Sequence, residues 1–110
     1  MVQRGHIFAT VDEVDSEVVL LDVREADEWA AGRAPTARHL ALSGLAEADH
    51  GFAPGERVQV ICKVGGRSAR ATAFLRDQGV DAVNVIGGML AWAAAGLDVV
   101  TDDGSTGHVA

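Results

Sequence analysis

The sequence predicts an α/β fold, a central parallel sheet of five strands with helices on both faces. Two observations predict it. The run at residues 18–21 is continuously apolar and that at 58–61 is β-branched at Val58, Val60 and Ile61, the pattern of strands buried on both faces. Between the candidate strands lie stretches with helical spacing and helical start and stop signals, and strands alternating with helices imply parallel pairing through crossovers. In such sheets ligands bind at the open ends of the strands.

Residues 6–9 form a weak first strand. Thr10, with Glu13 three residues on, makes a capping-box signature for a short helical turn. Residues 18–21 are the second strand, with Asp22 at its end. Glu25, Asp27 and Glu28 place negative charge in the first turn of the next helix, where the helix dipole favours it, and Gly32 is expected to stop that helix in a left-handed C′ conformation. Trp29 is expected as a core aromatic on it. Residues 38–42 read as a short strand, followed by a small helix around Leu45 and Ala46. Residues 50–55 are loop, with Pro54-Gly55 as the turn signal.

The fourth strand, at residues 58–61, is followed by good helix formers at 69–78, with Arg67-Ser68 opening the helix and Gly79 ending it. Ala71, Phe74 and Leu75 fall on one face of that helix, and Arg70, Arg76 and Asp77 on the wet face. Residues 82–86 are the last strand. Gly87-Gly88 then turn the chain into a helix at 89–95 whose Leu90 and Trp92 are expected to pack inward. Residues 101–110 are polar and glycine-rich and are expected to form a flexible, frayed tail beyond a domain spanning 1–100. The chain carries no internal repeat.

The 110 residues make one domain, and a hydrophobic content of 48% fits a globular protein. No apolar run approaches the ~20 residues of a membrane span, and the start of the chain lacks the apolar core of a signal peptide, so a cytoplasmic protein is expected. One cysteine suits a reducing compartment and cannot supply an internal disulfide or a cysteine metal cluster. His6, His39, His50 and His108 show no paired spacing, so no metal is expected, and most of them should face solvent. A net charge of −7, from 9 basic and 16 acidic residues, argues against nucleic acid or an anionic membrane as partner. It does not argue against a small anion, because Lys63, Arg67 and Arg70 cluster in sequence at the cysteine.

Cys62 is the centre of the functional reading. It stands where the fourth strand ends, Lys63, Val64, Gly65 and Gly66 form a tight loop, and Arg67 and Ser68 open the helix. The backbone N–H groups of such a loop and first helical turn lack intrahelical partners, and with the helix dipole they favour an anion. That anion can be the thiolate of Cys62. A thiolate is the nucleophilic form of cysteine, and an unperturbed thiol of pKa about 8.5 is only slightly ionised at neutral pH. The bland alternative is a small core hydrophobe. The paired glycines weigh against it, since they let backbone amides approach an anion closely.

Asp22 and Arg24 flank the end of the second strand and either line the pocket edge or form a structural ion pair that fixes the strand-to-helix turn; acid–base neighbours at turns favour the second. Gly87 and Gly88 read as a tight turn in preference to a phosphate site.

The string Cys-Lys-Val-Gly-Gly-Arg-Ser at 62–68, with Asp-Val-Arg-Glu at 22–25 and Gly-Gly-Met-Leu-Ala-Trp at 87–92, resembles a single rhodanese domain. The resemblance extends from about residue 8 to 99, in order and spacing. It implies a rhodanese-like fold and a sulfurtransferase without cofactor, in which Cys62 carries a persulfide within a pocket made by Lys63, Val64, Gly65, Gly66 and Arg67, with Ser68, Asp22 and Arg24 as structural neighbours. Lys63 and Arg67 are offered as contacts for an anionic donor such as thiosulfate, though Arg67 can equally turn back to brace the loop. Cyanide or a thiol is the acceptor, and a protein acceptor is left open.

One segment departs from the family pattern. Where rhodanese domains read Gly-His-Ile-Pro-Gly-Ala, this chain reads Gly32-Arg33-Ala34-Pro35-Thr36-Ala37. Competing classes are a cysteine phosphatase or arsenate reductase with a similar thiolate loop, and a non-catalytic persulfide relay or protein-binding module.

Overall fold

A computed structural model describes residues 7–110. Five parallel strands, β1 (Phe8–Ala9), β2 (Val19–Asp22), β3 (Arg38–His39), β4 (Arg57–Ile61) and β5 (Asp81–Val85), lie in the order β1-β5-β4-β2-β3. The first expected strand is thus shorter, and its His6 lies outside the described residues. A 3-10 turn follows at Val11–Glu13, with the Glu13 carboxylate accepting the Thr10 backbone N–H at 2.9 Å. The helices are α1 (Ala26–Ala31), α2 (Leu42–Leu45), α3 (Gly66–Asp77) and α4 (Gly88–Ala94). The α/β class and the five-stranded parallel sheet are therefore as expected.

β4 is the central strand and is buried on both faces, which explains the apolar Val58, Val60 and Ile61 pointing to either side. Val58, Val60 and Cys62 join Leu21, Ala71, Leu75 and Ala82 in one core cluster, under α2 and α3. Ile61 faces the other way, with Leu20, Val85 and Met89, under α4 and the 3-10 turn. The exception in β4 is Gln59. Its buried carboxamide accepts the Asp15 N–H at 2.7 Å and donates to the Asp15 and Val18 carbonyls, so a polar residue inside the sheet satisfies the loop leading to β2.

Several local expectations are corrected. Gly32 ends α1 but with an extended φ of 167°, and what requires glycine there is space: a Cβ would lie 2.5 Å from the His108 carbonyl oxygen. Trp29 is half-buried rather than core, stacked on His39 at 4.8 Å with the Arg33 guanidinium 4.5 Å from its ring centre. The third strand stops at His39, because residues 42–45 are taken by α2. Arg76, expected on the wet face, is half-buried and donates to the Ala82 carbonyl at 2.8 Å. Leu90 is 45% exposed; Met89 and Trp92, one helical turn apart, face the core, and Leu90 is rotated about 100° out of that line. His39 and His50 do not face solvent freely: their rings bond to the Arg24 carbonyl at 2.7 Å and the Gln78 side chain at 2.6 Å.

The segment after Val100, expected to fray, is tied back onto the domain. Arg33 and Val100 exchange backbone hydrogen bonds of 3.0 and 2.8 Å, Gly107 N–H donates to Val99 and His108 N–H to Ala31. The polar composition is turn chemistry: the Asp103 carboxylate accepts the Thr101 hydroxyl and the Ser105 N–H, which closes the chain reversal. Arg33, which with Thr36 departs from the family pattern, is the docking point, for it also pairs with Asp102.

Candidate active site

Parallel strands place all their carboxyl ends on one edge of the sheet, and β4, being central, has neighbours there on both sides. Asp22, ending β2, is in register with Ile61, and the Val23 N–H donates to the Ile61 carbonyl at 3.0 Å. Cys62 leaves the sheet beside them and is 1% exposed. The loop 63–65 turns immediately into α3, whose N-cap is Gly65 at a left-handed φ of 118°. A side chain is strained at that φ, so glycine is the residue that lets the chain double back over the thiol.

The sulfur is met by donors. The Gly65 N–H lies 3.1 Å from Cys62 Sγ and the Ser68 hydroxyl 3.2 Å from it. Burial pushes the thiol pKa up, but the Ser68 hydroxyl and the backbone N–H groups of Ser68, Gly65 and Val64 outweigh it, leaving the pKa below its ordinary value. Several weak donors converging on one sulfur thus overcome the penalty of enclosing it. The site stabilises an anion at Sγ.

The cations divide. Arg67 holds Glu28 in a two-pronged ion pair, Nη1–Oε1 2.5 Å and Nη2–Oε2 2.9 Å. Glu28 is pulled down to about 2, first by the Arg67 bond, and Arg67 is raised by the same contact. Lys63 is half-buried, and among the described residues its ammonium group has no hydrogen-bond or ion-pair partner. Gly66 is exposed, as is Val64 at 60%.

Asp22 and Arg24 form a fully buried pair with Nε–Oδ1 3.0 Å and Nη2–Oδ2 2.8 Å, and Arg24 Nη2 also donates to the Gly32 carbonyl at 2.7 Å. The pair therefore ties the end of β2 to the end of α1. Gly87 and Gly88 form the turn before α4, and the N–H groups at its start are already used: Met89 donates to the Cys62 carbonyl at 2.8 Å and Leu90 to the Lys63 carbonyl at 3.1 Å. A Cβ on Gly88 would lie 2.4 Å from the Cys62 carbonyl oxygen. No group of His, Cys, Asp and Glu among the described residues is arranged to hold a metal ion.

Two residues of this site escaped the sequence reading in whole or in part. Glu28 was legible only as first-turn acid of a helix, with nothing in the sequence to aim it at Arg67 39 residues away. Ser68 was legible as a neighbour; its position one helical turn after the loop is what brings its hydroxyl onto the sulfur.

A thiol at the carboxyl end of the central strand, ringed by donors from a six-residue loop, defines a class of thiolate-loop α/β proteins. Within it, this chain belongs to the Rhodanese-like domain family, whose model matches residues 10–95. It is 39% identical over 92 residues to the thiosulfate sulfurtransferase GlpE of Actinobacillus succinogenes, covering 82% of this chain and 83% of that one. It is 34% identical over 106 residues to a sulfurtransferase of Allochromatium vinosum, covering 86% and 99%. The crystal structure of a rhodanese-related protein from Thermoplasma volcanium superposes with a TM-score of 0.80 at 29% identity, over 88% of this chain and all of that one. No helix among the described residues is long and apolar enough to cross a membrane.

Proposed function

We propose that this protein is a sulfurtransferase that carries a sulfane sulfur on Cys62. The observation that carries the proposal is the pair of donors on Sγ, the Gly65 N–H and the Ser68 hydroxyl. In the first half-reaction the thiolate attacks the outer sulfur of thiosulfate. A Cys62 S–S bond forms, the S–S bond of the donor breaks, and sulfite leaves with the electron pair. In the second, cyanide or a thiolate takes the outer sulfur and the Cys62 thiolate is restored. The donors that favour the thiolate also favour the persulfide anion, electrostatic stabilisation that needs no reorganisation. With no second cysteine, release requires an external acceptor.

Lys63 is the group that draws an anionic donor to the loop. Arg67, engaged by Glu28, braces the loop, together with the Asp22–Arg24 pair behind it, while Val64, Gly65 and Gly66 supply backbone. A lone free thiol suits a reducing compartment, and we assign the protein to the cytoplasm. A second reading, relay of the sulfur to a protein acceptor, is favoured by the exposed apolar side chains of Val64 and Leu90 beside the loop.

Intact-mass spectrometry after exposure to thiosulfate tests the proposal. One added sulfur, removed by cyanide and absent in Cys62→Ser, is expected. An unmodified wild-type protein under these conditions overturns the use of thiosulfate, and a modified Cys62→Ser variant overturns the site.

A further inference from the structure

Past Asp81 at its start, strand β5 carries a polar residue among buried apolar ones. Ala82, Val83 and Val85 are fully buried, while Asn84 sits between them, in register with Val60 of β4 and Phe8 of β1. Its Nδ2 donates to the Gly65 carbonyl at 3.1 Å. A carbonyl can only accept, so the amide nitrogen must face the loop and Oδ1 must face away. Among the described residues that buried oxygen has no partner, along the wall of a groove of about 300 Å³ where Thr72 Oγ1 has none either. An unsatisfied buried acceptor is destabilising, and the Gly65 carbonyl is also held by the Ala69 N–H at 3.1 Å. Stability alone would favour an apolar side chain at position 84. Strand propensity would favour it too.

What the carboxamide does hold is orientation. Gly65 and Gly66 have no side chains with which to anchor themselves, and a Cβ built on Gly66 meets nothing within 4 Å. The Gly65 N–H that points at Cys62 Sγ and the Gly65 carbonyl that Asn84 grips belong to the same residue, separated by its φ and ψ. Gripping one sets the direction of the other.

We propose that Asn84 is the positioning residue of the Cys62 loop, fixing Gly65 so that its N–H is aimed at the reacting sulfur. The inference deepens the sulfurtransferase reading, but its test does not depend on sulfur transfer. Cys62 reactivity toward iodoacetamide is measured against pH in the wild type, Asn84→Leu and Asn84→Val. Leucine has nearly the shape of asparagine and valine suits a strand, so at least one folded variant is secured. The expected result is a thiol pKa about one unit higher, with about tenfold less thiolate at neutral pH, in a variant that melts no lower than wild type. An unchanged pH profile in a folded variant overturns the inference and leaves the sulfurtransferase reading standing. A raised profile in the variants, alongside a wild type that takes no sulfur from any donor, supports Asn84 and removes the proposed function instead.

Discussion

Arg67 and Glu28 are joined by two nearly parallel contacts of 2.5 and 2.9 Å between the first turn of α3 and the first turn of α1. The guanidinium nearest the thiol in sequence is thereby neutralised, and its fork is occupied by a protein carboxylate. Two consequences follow from that geometry. The loop is clamped to a neighbouring helix, and under the proposed function attraction of an external anion is assigned to Lys63 and the backbone amides.

The clamp makes stability depend on acid. Glu28 has its pKa depressed from 4.5 to about 2, so its contribution is complete above pH 4.5 and is lost as pH falls toward 2. The pair is partly exposed, which limits that contribution to roughly 1 kcal/mol. Thermal melts of Glu28→Gln and wild type are expected to differ at pH 7 and to converge near pH 2. A constant difference across that range counts against the clamp.

The Ser68 hydroxyl, buried and 3.2 Å from Sγ, is one of the donors that lower the thiol pKa. Ser68→Ala removes it without removing the backbone donors. The pH at which alkylation of Cys62 is half-maximal should rise by roughly one unit, with melting temperature nearly unchanged. An unshifted profile means that the backbone amides alone set the thiolate.

Lys63 has a free charge among the described residues, so Lys63→Ala is expected to weaken turnover of thiosulfate about tenfold while sparing a neutral persulfide donor. The salt dependence of the rate with thiosulfate should flatten in parallel. Equal losses with both donors would show that Lys63 shapes the loop, its charge being incidental.

Gly88 at φ 56° leaves no room for a Cβ against the Cys62 and Lys63 carbonyls. Gly88→Ala is expected to lose about 2 kcal/mol or more in denaturant unfolding, since strain adds to the clash. Because the same carbonyls receive the first N–H groups of α4, the variant should also lose thiol reactivity. Full stability in the alanine variant would contradict this packing.

Four residues separate Cys62 from Arg67, against five between cysteine and arginine in phosphatase loops of the cysteine type. The smaller ring of amides suits one terminal sulfur better than a tetrahedral phosphoryl group, and Asp22, the nearby acid, is locked by Arg24. No Cys62-dependent hydrolysis of an aryl phosphate is expected where thiosulfate is consumed. Hydrolysis lost in Cys62→Ser would favour the phosphatase class.

What the sequence determined by itself was carried by continuous stretches, above all the one around Cys62. The β-branched run before Cys62, the glycines after it and the helix formers beyond encode a strand, a tight loop and a helix start through local backbone preference. The strand's composition also announced burial on both faces, while its central place came from the strand order. The tertiary structure alone decided the pairings. Glu28 reaches Arg67 across 39 residues and Asn84 reaches Gly65 across 19, distances over which no spacing rule operates. The same holds for the misjudged faces: Leu90 lies outward because Met89 and Trp92 take the core side of α4, and Trp29 is half-buried, stacked on His39 and covered by Arg33. The C-terminal segment was read as loose from its polarity, yet polar turns are also what a chain needs to reverse and return to an edge. Periodicity reports how a segment can bury its own face; which partner covers that face is a property of the whole chain.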